Sequence, residues 1–151
     1  MILGVGLDLC EIERMGRAIE KEHFVDRVFT PAEAGRIRAA GGVRLAGGVR
    51  PAGGVCPAAG VRPAEIAAGL FAAKEAVAKA LGTGFAGFGV ADIEITPDDL
   101  GRPTCALHRG ARARADALAG GSGWTVWVSV THEKGFAAAT AILEGGIPCA
   151  H

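Results

Sequence analysis

Glu75 and Lys79 stand four residues apart in a run of strong helix formers, so at about 100° per residue they share one helix face with Phe71. Ile66, Leu70, Ala73, Val77 and Leu81 form an apolar stripe on the opposite side, and Ala68, Ala72 and Ala76 surround the two charges. A carboxylate and an ammonium on so small and apolar a surface fit two readings. One is a helix-stabilising i,i+4 ion pair worth a few tenths of a kcal/mol, about 0.2–0.5; the other is an acid and a cation held for chemistry. Asp8 weighs toward the second. It closes an apolar, β-branched run that begins at Ile2, where a strand residue can face a helix. Two carboxylates on rigid elements can hold magnesium, which completes its octahedron with water and substrate phosphates.

Three further groups carry possible chemistry, each beside a simpler explanation. His132, followed by Glu133, ends a strand-like run and suits either a hydrogen-bonded strand terminus or a proton acceptor. Gly82, Thr83 and Gly84 follow the helix; their amides can approach a phosphate, but a helix C-terminus presents carbonyls, which favours ordinary capping. Arg14, Arg17 and Lys21 fall at i, i+3 and i+7, within about 60° of one another on one helix. That basic stripe is either a solvated face balanced by Glu11, Glu13, Glu20 and Glu22 or a docking surface for an acidic partner.

The elements that must position these groups are legible in outline. A strand over residues 2–9 leads to a helix over 11–22. Thr30-Pro31-Ala32-Glu33 has the capping pattern of a second helix reaching about residue 40. A long helix spans 65–81 and is stopped by Gly82. Strand character returns at 90–96, 103–108, 125–131 and 136–143, with a helix near 111–119. Strands clustered after helices indicate an α+β fold with antiparallel pairing, the sheet packed against the long helix.

Residues 41–64 differ in kind, parsing as four hexads, GGVRLA, GGVRPA, GGVCPA and AGVRPA. Paired glycines and prolines disfavour helix and central strand, so the segment reads as an exposed loop inserted in a single domain of residues 1–144, with a tail at 145–151. Four units are too few for a stacked β-helix.

Sixteen basic and sixteen acidic residues cancel, which removes any overall field for nucleic acid or an anionic membrane. No apolar run reaches bilayer length and the N-terminal apolar stretch meets an acid early, so a cytoplasmic protein is expected. Cys10, Cys56, Cys105 and Cys149 lie more than forty residues apart and read as reduced thiols with no zinc spacing.

The segments GVGLDLCEIERM at 4–15 and FAAKEAVAKALGTG at 71–84 closely resemble the two signatures of the bacterial holo-acyl-carrier-protein synthases, which are 4'-phosphopantetheinyl transferases. Gly6, Asp8 and Arg14 match the first pattern; Lys74, Glu75, Ala76, Lys79, Gly82 and Gly84 match the second. FVDRVFTPAE at 24–33, GRP at 101–103 and VSVTHE at 128–133 extend the likeness, with Arg102 in place of a lysine and Thr131 in place of a serine.

The resemblance implies a magnesium-dependent transfer of phosphopantetheine from coenzyme A to a serine of an acyl carrier protein, in support of fatty acid or polyketide synthesis. Asp8 and Glu75 would be metal ligands, and Lys79 a cation for the transition state. Glu75, Lys79 and His132 would be the catalytic set. Lys79, Gly82, Gly84, Thr131 and His132 would contact the nucleotide substrate, and Arg14, Arg17 and Lys21 would meet the carrier. The base stays open between Glu75, a metal-bound water and the His132-Glu133 pair. The family also implies a homotrimer with active sites between subunits. Two rival functions are a non-catalytic module that binds coenzyme A or a carrier, and a magnesium-dependent pyrophosphate hydrolase.

Overall fold

A computed structural model of the chain describes residues 1–21, 23–41 and 62–146. The inserted loop expected at 41–64 therefore lies largely outside the described residues, as do Cys56, Cys149 and most of the tail. The ordered elements are β1 (Ile2–Glu11), α1 (Ile12–Ile19), α2 (Phe24–Val28), α3 (Pro31–Ala40), α4 (Pro63–Ala80), β2 (Ile93–Pro97), β3 (Pro103–Leu107), α5 (Arg109–Ala119), β4 (Trp124–Glu133) and β5 (Phe136–Gly145). The strands form one antiparallel sheet in the order β1-β5-β4-β3-β2. This is the α+β architecture that the sequence indicates, with α4 laid across β1, β5 and β4 as its central helix.

Small residues bring α4 down onto the sheet. A Cβ at Gly4 would lie 1.9 Å from the Ala80 carbonyl oxygen, and one at Gly6 would lie 1.8 Å from that of Ala76. The inward residues of the neighbouring strand, Ala137, Ala139 and Ala141, and the facing Ala72, Ala73, Ala76 and Ala80 of α4 are all buried. Two strand residues rise about 6.6 Å and four helical residues about 6 Å, so the strand and the antiparallel helix stay in step from Gly4–Ala80 to Gly6–Ala76. The next inward position of β1 is Asp8, which consequently falls one turn further toward the start of α4.

α4 is buried on nearly every side. From Ala67 to Leu81 the residues that are not buried are Phe71, Glu75 and Lys79, the face singled out from the sequence. A buried ion pair fixes the rest. Lys74 Nζ lies 2.8 Å from Glu33 Oε2, both side chains are fully buried, and the ammonium also donates to the carbonyls of Val90 and Ile93. Glu33 accepts from the backbone amides of Thr30 at 2.8 Å and Ile95 at 2.7 Å, so one carboxylate caps α3 and ties it to α4 and β2. No buried side-chain polar atom among the described residues lacks a partner.

The strands differ from expectation by up to three residues at their ends, and the helices depart from it in three places. α1 ends at Ile19, leaving Lys21 in the turn beyond it. The short helix α2 is additional; it starts after His23 in the left-handed region (φ 62°), with no capping side chain to mark it in the sequence. α4 begins at Pro63, inside the last hexad, where the Glu65 carboxylate accepts the Arg62 amide at 3.2 Å.

Candidate active site

The register of β1 against α4 places Asp8 beside the open face of the helix. Helical side chains lean toward the N-terminus, so Lys79 reaches back one turn to meet it. Its Nζ donates to Asp8 Oδ1 at 2.7 Å and to the Leu7 carbonyl at 3.0 Å. Hydrogen bonding to Asp8, with the charges of Asp8 and Glu75, holds the ammonium above the ordinary lysine range. Glu75 stands one turn before Lys79. Partial burial, then the neighbouring charge of Asp8, raises its carboxyl above the ordinary 4.5, and Lys79 offsets this only in part.

Two carboxylates on separate rigid elements, with negative charge in excess of their one cation, fit a hard divalent ion. Among the described residues no third acid, histidine or cysteine completes a cluster, which suits an ion that keeps positions for water and phosphate rather than a closed zinc site.

His132 is elsewhere. Its Nε2 lies 3.0 Å from the Glu65 carbonyl at the start of α4, ten residues and about 15 Å along the axis from Glu75. A carbonyl only accepts, so Nε2 carries the hydrogen. Gly69 makes room for this contact, since a Cβ there would meet His132 Nε2 at 3.0 Å. A glycine inside a helix costs about 1 kcal/mol against alanine, and that cost is the signal by which Gly69 could have been singled out.

His132 borders a cavity of about 300 Å³ walled by residues of α3, α4, β2, β4 and the 98–103 turn. The walls that α4 contributes, Ile66, Gly69 and Leu70, are each at least about 120° around that helix from Glu75. The chain thus brings Asp8, Glu75 and Lys79 together and holds His132 apart from them on another flank.

The remaining residues read from the sequence separate similarly. Thr131 is exposed on the sheet face turned away from α4. Gly82 (φ 78°) and Gly84 (φ 57°) form the left-handed exit of α4; the Gly82 amide bonds the Lys79 carbonyl at 2.9 Å, and Arg114 Nε takes the Leu81 carbonyl at 3.0 Å. Arg17 is paired with Glu13 on α1, Arg14 on the same helix is exposed, and Lys21 lies past the helix end, so the stripe is less continuous than its spacing indicates.

This scaffold, an antiparallel sheet crossed by one helix that carries a Lys-Glu-Ala sequence and a facing Asp, defines a known class of transferase. The family model of the 4'-phosphopantetheinyl transferase superfamily matches residues 4–141, and the chain belongs to that family. Within it the likeness is to the holo-[acyl-carrier-protein] synthases, and the chain is an enzyme of that type. It is 43% identical to the synthase of Solidesulfovibrio magneticus over 149 residues, covering 96% of this chain and 100% of that one. The synthase of Clostridium acetobutylicum is 39% identical over 145 residues, covering 95% and 98%. The crystal structure of the Bacillus anthracis synthase in complex with CoA (3',5'-ADP) superposes with a TM-score of 0.68 at 31% identity, covering 97% of this chain and 99% of that one.

Proposed function

We propose that this protein transfers the 4'-phosphopantetheine arm of coenzyme A to a serine of an apo-acyl carrier protein, using magnesium, and so supplies fatty acid or polyketide synthesis. The observation that carries the reading is the ammonium of Lys79 fixed between Asp8 and the Leu7 carbonyl, with Glu75 one turn away on the single open stripe of α4. In the reaction the serine oxygen bonds to the phosphorus bearing the pantetheine arm, the P–O bond of the pyrophosphate breaks, and 3',5'-ADP leaves. Charge accumulates on the phosphoryl and leaving oxygens, where a preorganised cation stabilises the transition state most, and Lys79 supplies it. Asp8 and Glu75 would hold the ion, whose chemistry when bound is to neutralise pyrophosphate oxygens. Of the protein groups left open as base, Glu75 is the one beside Lys79 on the open stripe of α4.

The separation of the two regions supports a site built from two copies. One nucleotide cannot touch both the Asp8 cluster and the His132 cavity of one chain, because the body of α4 lies between them. The sheet face opposite α4 offers the surface for assembly: Val5, Leu7 and Leu9 are each more than 60% exposed, and Trp127 and Phe136 are exposed beside them. A homotrimer closing on this face would cover an apolar patch that is costly to leave in water. Arg14 on the exposed face of α1 would then steer an acidic carrier.

The test is incubation of the protein with coenzyme A, magnesium and apo-carrier, followed by mass spectrometry of the carrier. A mass increase equal to the pantetheine arm is expected, with little 3',5'-ADP released in the absence of carrier. Release independent of carrier would identify a pyrophosphate hydrolase instead.

A further inference from the structure

Lys79 meets Asp8 as a bonded partner and not as a distant charge. Its Nζ is 2.7 Å from Asp8 Oδ1 and 3.0 Å from the Leu7 carbonyl, so β1 takes up two of the hydrogens that the ammonium can donate. The carbonyl anchors the ammonium at β1 independently of the carboxylate. Asp8 is the less exposed member of the pair. The charges that act on Glu75 are those of Asp8 and Lys79, and those that act on Lys79 are Asp8 and Glu75. Two carboxylates against one ammonium leave the cluster a net charge of −1, and among the described residues no further acid, histidine or cysteine completes it.

That balance is unfavourable to a divalent ion by itself. Magnesium gives up its waters reluctantly and is held through one or two carboxylates together with substrate phosphates. Here one of the two carboxylates already has an oxygen engaged by an ammonium, whose charge repels a second cation at close range. A diphosphate reverses the sign of that contribution. Its anionic oxygens supply the missing ligands, and the remaining hydrogen of the ammonium can be donated to them in a charge-assisted bond. One side chain thus opposes the ion alone and favours the ion together with a diphosphate.

We propose that Lys79 makes the metal site conditional: the two carboxylates take up a divalent ion only when the diphosphate of coenzyme A arrives with it, and Lys79 is the residue that prevents earlier binding. The inference rests on the proposed transfer reaction, in which Asp8 and Glu75 hold the ion. It gives Lys79 a second task beside the stabilisation of transition-state charge. The two tasks are separable, because a residue that acts on the transition state alone leaves ion binding in the ground state untouched.

The experiment measures free Mn2+ by its electron paramagnetic resonance signal, on the full-length wild type and on its Lys79→Met, Lys79→Gln and Lys79→Arg variants. Each is titrated with and without coenzyme A, and coenzyme A without protein serves as the blank. The wild type should hold Mn2+ about tenfold or more tightly with coenzyme A than without it, about 1.4 kcal/mol. Without coenzyme A, the two neutral variants should each bind Mn2+ about tenfold more tightly than the wild type, whereas Lys79→Arg, which keeps the charge, should stay within about threefold of it. Adding Glu75→Gln to Lys79→Met should abolish the gain, which places the ion at the cluster. Wild-type affinity that does not depend on coenzyme A, or neutral variants that bind Mn2+ no better than the wild type, overturn the role of Lys79. Transfer to apo-carrier by the wild type is followed in parallel with Mn2+, and its absence overturns the proposed function itself.

Discussion

Glu75 is held in an environment that disfavours its own charge, and this has a measurable sign. Its folded pKa lies above the ordinary 4.5, so the folded chain binds the proton more tightly than the unfolded chain does. The stability lent by that proton is present at low pH and lost as pH rises from about 4.5 through the raised folded value. A divalent ion reverses the balance by favouring the carboxylate. Magnesium should therefore raise the melting temperature more at pH 8 than at pH 5.5. Glu75→Gln should abolish transfer yet melt about 1–2 °C higher than wild type in chelator at pH 8. A variant less stable than wild type under those conditions would remove the charge conflict from the account. The two lysines of the same signature divide just as sharply. Lys79→Met breaks a solvent-screened pair that matters little to the fold, but should lower kcat about a hundredfold. Lys74→Met leaves the Glu33 carboxylate buried without its cation, a loss of about 3–5 kcal/mol that thermal melting would register as a fall of more than about 8 °C.

At the scale of elements, the glycines of β1 set the site's dimensions. Gly6→Ala must push α4 from the sheet, because its Cβ would occupy the space of the Ala76 carbonyl. About 1–3 kcal/mol of stability should be lost, and with it the approach of Lys79 to Asp8, seen as a turnover loss in whatever fraction stays folded. The open stripe Phe71, Glu75, Lys79 was legible because helical periodicity is a local property and α4 is long. Asp8 was legible because strand alternation is local too, and it is the one acid among the inward positions Gly4, Gly6, Asp8 and Cys10 of β1. What the sequence hides is who faces whom. Glu33 reads locally as a capping acid, which it is, but its buried bond to Lys74 depends on α3 and α4 meeting across the twenty-two residues between them. His132 and Glu75 look like parts of one constellation until Gly69 is seen to seat the imidazole at the far end of the helix. α2 escaped because five residues without a cap leave no periodic signal.

For the whole molecule, the decisive question is whether one site draws on two chains. Two damaged proteins answer it. One carries Glu75→Gln and lacks the carboxylate cluster; the other carries His132→Ala and lacks the imidazole that borders the cavity at the start of α4. Each alone should be nearly inactive when assayed at low coenzyme A. If cluster and cavity of one site belong to different copies, subunits exchanged between the two proteins form some sites with both halves intact. Random assembly of equal amounts in a cyclic trimer gives about a quarter of all sites an intact cluster from one copy and an intact cavity from its neighbour. Mixed protein, dissociated and reassembled, should therefore recover about a quarter of wild-type activity, and mixing without exchange should recover none. Were both halves drawn from the same chain, every site would carry one of the two lesions and no ratio of the proteins would restore turnover. The apolar sheet face makes the same point independently: Leu7→Lys on that face should leave the monomer folded, shift its mass in light scattering to that of one chain, and remove the recovery.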